Sequence, residues 1–99
     1  MKPFTLTAQA KEDLKAIALF TQHHWGKAQR NLYLKQFDDS FWLLADNPSL
    51  GKPCDDIRSG YRKFPQGSHI IFYQDTGNQQ VRVVRILHKS MDVNPLFGL

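Results

Sequence analysis

The sequence predicts an α+β domain of order β-α-α-β-β-β, a helical hairpin packed on a mostly antiparallel sheet. Three observations carry this. Two apolar stripes at helical spacing lie between residues 8 and 46, and Gly26 parts them. Three runs rich in β-branched and aromatic residues follow Gly60, with Pro65-Gln66-Gly67 and Thr76-Gly77-Asn78 between them. The 99 residues, 41% hydrophobic and 12% aromatic, suffice for one core, so residues 1–99 are expected to form a single domain.

Each element has a local reason. Lys2–Leu6 reads as a short first strand. Thr7 is an N-cap, and Glu12 and Asp13 sit near the positive end of the helix it starts. That helix runs to about His24, with Ala10, Leu14, Ile17, Ala18, Thr21 and Trp25 on one stripe facing the core. Gly26 stops it in a left-handed conformation. The second helix spans Ala28–Asp46 on a stripe of Tyr33, Leu34, Phe37, Phe41 and Leu44, and Asn47-Pro48 ends it. Ser49–Ser59 reads as a loop. Strands are expected at Tyr61–Phe64, Ser68–Gln74 and Gln80–His88. In the last, alternation places Val81, Val83, Arg85 and Leu87 on one face and Arg82, Val84, Ile86 and His88 on the other. Aliphatic residues on both faces mark this strand as central.

Composition narrows the function classes. The net charge is +4, and between Ile57 and Lys89 six basic residues face one acidic, so an anionic partner is favoured over a cationic one. A single cysteine excludes an internal disulfide framework and suits a reducing compartment. No strictly apolar run exceeds the length of Phe41–Ala45, far short of the ~20 residues of a membrane span. With no secretory signal pattern at the N-terminus, a cytoplasmic protein without membrane contact is expected.

Four groups of residues invite a chemical role. Arg58, Arg62, Lys63, Arg82, Arg85 and Lys89 can gather on one surface against phosphates or a carboxylate-rich partner. The plainer reading is a solvated face with one structural arginine paired to Asp92 or Asp56. His69 and His88 begin and end adjacent strands. Together with Arg85 as a phosphate clamp they can serve as an acid–base pair for RNA cleavage, or each can simply hydrogen-bond a strand end. His23 and His24 point about 100° apart on a helix and cannot chelate one metal, so neither metal nor cofactor is expected. Cys54, in a loop beside Asp55 and Asp56, is disfavoured as a thiolate by that negative charge. Leu19, Phe20, Leu32, Trp42 and Leu43 lie off the helix stripes. Either the hairpin buries two sides, or these residues form an exposed groove for a partner's amphipathic helix.

The ordered set of segments resembles the ParE toxins. It comprises Ala10-Lys11-Glu12-Asp13-Leu14, Trp25-Gly26-Lys27-Ala28-Gln29 with Tyr33, and Leu44-Ala45-Asp46-Asn47-Pro48 with Gly51. Gly60-Tyr61-Arg62-Lys63-Phe64, Ser68-His69-Ile70-Ile71-Phe72-Tyr73 and Val84-Arg85-Ile86-Leu87-His88 with Met91-Asp92 complete it, so that it spans about residues 4–97. The resemblance implies a RelE/ParE-like fold of the order read above. It also implies the toxin half of a type II toxin–antitoxin pair, which inhibits DNA gyrase by binding, blocks replication and is silenced by a ParD-like antitoxin in a hetero-oligomer. RelE relatives instead cut messenger RNA on the ribosome. That reading is weakened here because His88, Lys89 and Asp92 follow Arg85 but no tyrosine does. On the ParE reading, no residue is catalytic. Arg58, Arg62, Arg85, His88, Met91, Asp92, Leu96 and Phe97 are expected to face gyrase, and Phe20, Leu32 and Trp42 the antitoxin. The Met91–Leu99 tail is expected to be peripheral, so that truncating it leaves the fold intact.

Overall fold

The computed structural model describes residues 2–97; Gly98 and Leu99 of the expected gyrase-facing tail lie outside them. The strands are β1 (Phe4–Leu6), β2 (Lys52–Pro53), β3 (Tyr61–Gln66), β4 (His69–Gly77) and β5 (Gln80–His88). The helices are α1 (Ala8–Trp25), α2 (Lys27–Asp46) and the single turn α3 (Val93–Leu96). The five strands form one sheet in the order β1-β5-β4-β3-β2, with β1 parallel to β5 and every other pair antiparallel. The expected α+β hairpin-on-sheet architecture is therefore present; β4 is the middle strand, and β5, expected to be central, lies beside it, between β4 and the short β1.

Thr7 starts α1 as its sequence position suggests. Its Oγ1 accepts from the Ala10 N–H at 3.1 Å and its hydroxyl donates to the Val84 carbonyl at 2.9 Å, tying the helix start to β5. Gly26 alone joins α1 to α2, at φ +89°, a conformation that a side chain disfavours. The buried stripe of α1, Ala10, Ile17 and Thr21, ends one turn before Trp25, which is 72% exposed. The expectation that Trp25 faces the core is thus corrected: at the tip of the hairpin it lies beyond the core and borders a surface cleft. The off-stripe residues Leu19, Phe20, Leu32, Trp42 and Leu43 are exposed as well, so the reading in which they are buried between helices fails.

The strands depart from the expected pattern in three places. β2 lies inside the expected Ser49–Ser59 loop, pairing Lys52 with Lys63 and Pro53 with Arg62. β3 runs on through Pro65, beyond the end of β2, where the missing N–H faces no partner strand. In β5, the register steps from Phe72↔Arg85 to Tyr73↔Val83, leaving Val84 as the extra residue of a bulge. A bulge reverses the facing of every later residue. Val81, Val83 and Ile86 consequently join the helix-side core, while Val84 and Leu87 join the opposite side. Simple alternation had Val84 with Ile86, and Val83 with Leu87.

Both faces of the sheet are therefore covered. On one, Phe37, Phe41 and Leu44 of α2 and Ala10 and Ile17 of α1 pack on Phe4, Ile71, Tyr73, Val81, Val83 and Ile86. On the other, Cys54, Ile57, Phe72, Val84 and Leu87 surround Phe97. The expectation of a peripheral tail is corrected: Phe97 is buried, its ring 5.2 Å from Phe72 and 5.8 Å from Tyr61. Cys54 is likewise buried rather than loop-exposed. Burial is the main cause that pushes its thiol up, with the neighbouring aspartates contributing less.

Candidate functional site

Where β1 ends at Leu6, the edge of β5 beyond Val83 would be left without a strand. Two α1-side residues cover it. Thr7 takes the Val84 carbonyl, and the Asp13 carboxylate accepts from the Ile86 N–H at 3.0 Å. Asp13 also grips Arg85 bidentately, Oδ2 to Nε at 2.8 Å and Oδ1 to Nη2 at 3.0 Å, with both side chains only 15% exposed. This bond holds the Arg85 guanidinium more firmly protonated than usual. The structural arginine is therefore real, but its partner is Asp13 rather than Asp92 or Asp56. No local signal could have disclosed a pair 72 residues apart.

The remaining cations do not converge. Arg85 and Arg58 share one groove of about 510 Å³ with Thr7, Gln9, Tyr61 and Phe97. In it Arg58 donates to the Phe97 carbonyl at 2.9 Å and Arg85 Nη1 approaches the Leu96 carbonyl at 3.4 Å. Arg62 instead donates to the Gly51 carbonyl at 2.7 Å and braces the loop before β2. Arg82 reaches Gln74 on β4. Of the expected gyrase-facing set, Arg58, Arg85, Leu96 and Phe97 thus come together. Met91 and Asp92 are exposed in the connection that follows β5.

His69 and His88 are paired across β4 and β5, their rings edge to face at 5.3 Å, as their positions at the strand ends suggested. His69 Nδ1 lies 2.7 Å from the Tyr33 hydroxyl, which also accepts from the Ser68 N–H. Burial, and secondly the charge on His88, hold the His69 imidazole below its ordinary pKa, and burial raises the Tyr33 hydroxyl. His88 Nδ1 accepts from the Ser90 N–H at 3.1 Å and lies 2.8 Å from the Ser90 hydroxyl. The pair opens on an aromatic-walled cleft of about 490 Å³ with Phe20, Trp25, Tyr33 and Gln29. Arg85 does not join it: the bulge and Asp13 turn the guanidinium into the other groove. The expected acid–base pair has therefore lost the phosphate clamp assigned to it. Among the described residues no group of three or more His, Cys, Asp or Glu side chains could hold a metal ion.

This chain matches, over residues 4–93, the family described as ParE toxin of type II toxin-antitoxin system, parDE. It belongs to the ParE toxin family. Toxin ParE1 of Mycobacterium tuberculosis is 41% identical over 91 residues, 92% of this chain and 93% of the relative. Toxin ParE1 of Caulobacter vibrioides is 34% identical over 98 residues, 99% of this chain and 100% of the relative. A solved structure titled as a chromosomal ParDE TA system from P. aeruginosa superposes with a TM-score of 0.72 at 17% identity, over 89% of this chain and 96% of the other, and so shares the fold.

The expected resemblance is thus shown, and the chain is a ParE-type toxin of a type II toxin–antitoxin system. Its hairpin offers the ParE fold an apolar outer surface. Phe20, stacked on His24 at 4.0 Å, borders the His69–His88 cleft. Leu32 is exposed on α2, and Trp42, ten residues further along the same helix, sets its edge on Phe4 at 5.4 Å. Ten helical residues span about 15 Å, so these exposed side chains are spread along the hairpin rather than gathered in one spot. Sequence reasoning missed Tyr33 and Asp13 as organisers. Tyr33 was placed on a core stripe, and its hydroxyl finds Gln66, Ser68 and His69 only because β3 and β4 turn there.

Proposed function

We propose that this ParE-type toxin acts by binding DNA gyrase and blocking replication in the cytoplasm, and that a ParD-like antitoxin silences it by covering the helical hairpin. The observation that carries this reading is the exposed apolar surface of the hairpin. In a chain whose sheet is already covered on both faces, Phe20, Trp25, Leu32 and Trp42 remain at the surface. Exposed apolar surface of this kind marks a partner's footprint. The gyrase-facing side is then the Arg58–Arg85 groove with the C-terminal turn, away from that footprint. Titrating the purified chain into a gyrase supercoiling reaction tests the proposal. Supercoiling should fall as toxin is added, and unchanged activity over a wide range of toxin would defeat it.

One observation favours a second reading, RelE-type cleavage of messenger RNA: His69 and His88 do meet. Against it, no lysine or arginine among the described residues lines their cleft, and Arg85 is held by Asp13 in the other groove. Mapping mRNA ends after expression decides it, since new ends are required for cleavage.

A further inference from the structure

We propose that the C-terminal turn is a self-docked peptide, and that the cleft it occupies takes a partner segment offering a large apolar side chain flanked by backbone carbonyls or carboxylates. The turn is fastened in a transferable way. One ring, Phe97, is inserted between Phe72 and Tyr61, and residues 89–92 that lead to it are exposed. The carbonyls of residues 96 and 97 are held by two side-chain guanidiniums, Arg85 and Arg58, not by a strand. Such donors serve any carbonyl oxygen, and a carboxylate more strongly. The groove beside the turn, bounded by Thr7 and Gln9, leaves room for an incoming segment to land before the turn departs. Arg85 is already charge-balanced by Asp13, so the cleft is fitted to a peptide with one acidic group rather than to a row of phosphates. Two guanidiniums, Arg58 and Arg85, against the one carboxylate of Asp13 give the cleft a positive balance that favours an acidic segment. This deepens the reading of the groove as the target-facing side, yet its test contains no gyrase, so that either can fail alone.

Cys54, the single cysteine, lies in the same cluster as Phe97 and reports whether the turn is docked. The test uses full-length chains, an aromatic disulfide thiol reagent, and as probe an acetylated peptide of the chain's own residues 91–99. Cys54 of the unmodified chain should label slowly. Phe97→Ala should label roughly tenfold faster or more, since the opening that exposes the thiol becomes cheaper. Added peptide should restore protection, and the same peptide with alanine for phenylalanine should not. Arg58→Gln removes one hydrogen bond from an exposed side chain and keeps the core intact. It should also speed labelling, and combined with Phe97→Ala it should weaken protection by the peptide. Should Phe97→Ala lose its native circular dichroism, Arg58→Gln decides alone. Labelling of the variants as slow as that of the unmodified chain would overturn the proposal. So would a peptide that gives no protection, or a single-stranded oligonucleotide that protects where the peptide does not.

Discussion

Asp13 does three jobs with one carboxylate: it receives the Arg85 fork, accepts the Ile86 N–H and closes the strand edge beyond β1. Removing it strands a largely buried guanidinium and a backbone donor. Asp13→Ala should therefore cost about 3–5 kcal/mol, the range for breaking one side of a buried pair. Urea denaturation reads this directly. Tyr73 plays a comparable part within the helix-side core, where its hydroxyl donates to the Pro48 carbonyl and accepts from the Gly51 N–H, both at 2.8 Å. Tyr73→Phe should lose about 1–3 kcal/mol through the unpaired amide and carbonyl. Gly51 has no freedom to grow, because a Cβ there would meet the Tyr73 ring at 2.6 Å and the Lys63 carbonyl at 2.9 Å. His69 gives the pH dependence its sign. Its folded pKa lies below the ordinary 6.5, chiefly through burial, so the unfolded chain binds the proton more readily. Its contribution to stability is full above pH 6.5 and is lost as pH falls through the folded pKa. In His69→Gln that part of the acid-side slope in melting temperature should vanish; an unchanged slope would assign it elsewhere.

At the level of elements, the hairpin and the three long strands were legible in the sequence. Helical periodicity and turn residues are local signals, and Thr7, Gly26 and Asn47-Pro48 act where they stand. What could not be read depended on contacts between distant segments. The Val84 bulge is a fact of pairing with β4, and once present it overrode a sound alternation for Ile86 and Leu87. The burial of Phe97 depends on β3, β4, β5 and the loop holding Cys54 and Ile57 building a pocket on the face away from the helices, and no periodicity of the short tail announces it. The hairpin's exposed surface separates binding from folding. Phe20→Ala should leave the unfolding midpoint nearly unchanged, since that side chain is 61% exposed. It should weaken the complex with the antitoxin by about 2 kcal/mol if Phe20 is a hot spot. Urea or thermal unfolding measures the first half of this claim and calorimetric titration with antitoxin the second, and equal affinity of the two chains would remove Phe20 from the interface.

As a whole molecule, the chain separates its two surfaces. The apolar hairpin surface lies on one side, and the arginine groove with its docked C-terminal turn lies where the sheet's second face is closed by Phe97. The positive charge of the second half, legible at once from composition, turned out to be spent partly on structure: Arg85 on Asp13, Arg62 on the Gly51 loop, Arg58 on the turn. We propose that this toxin works by holding gyrase on cleaved DNA rather than by cutting RNA. The direct measurement mixes purified gyrase, supercoiled plasmid and increasing amounts of the chain, then denatures the protein and counts linear DNA. Linear DNA should accumulate with toxin, and antitoxin should abolish it. Absence of linear DNA with supercoiling intact, while the same chain produces new mRNA ends on translating ribosomes, would contradict it.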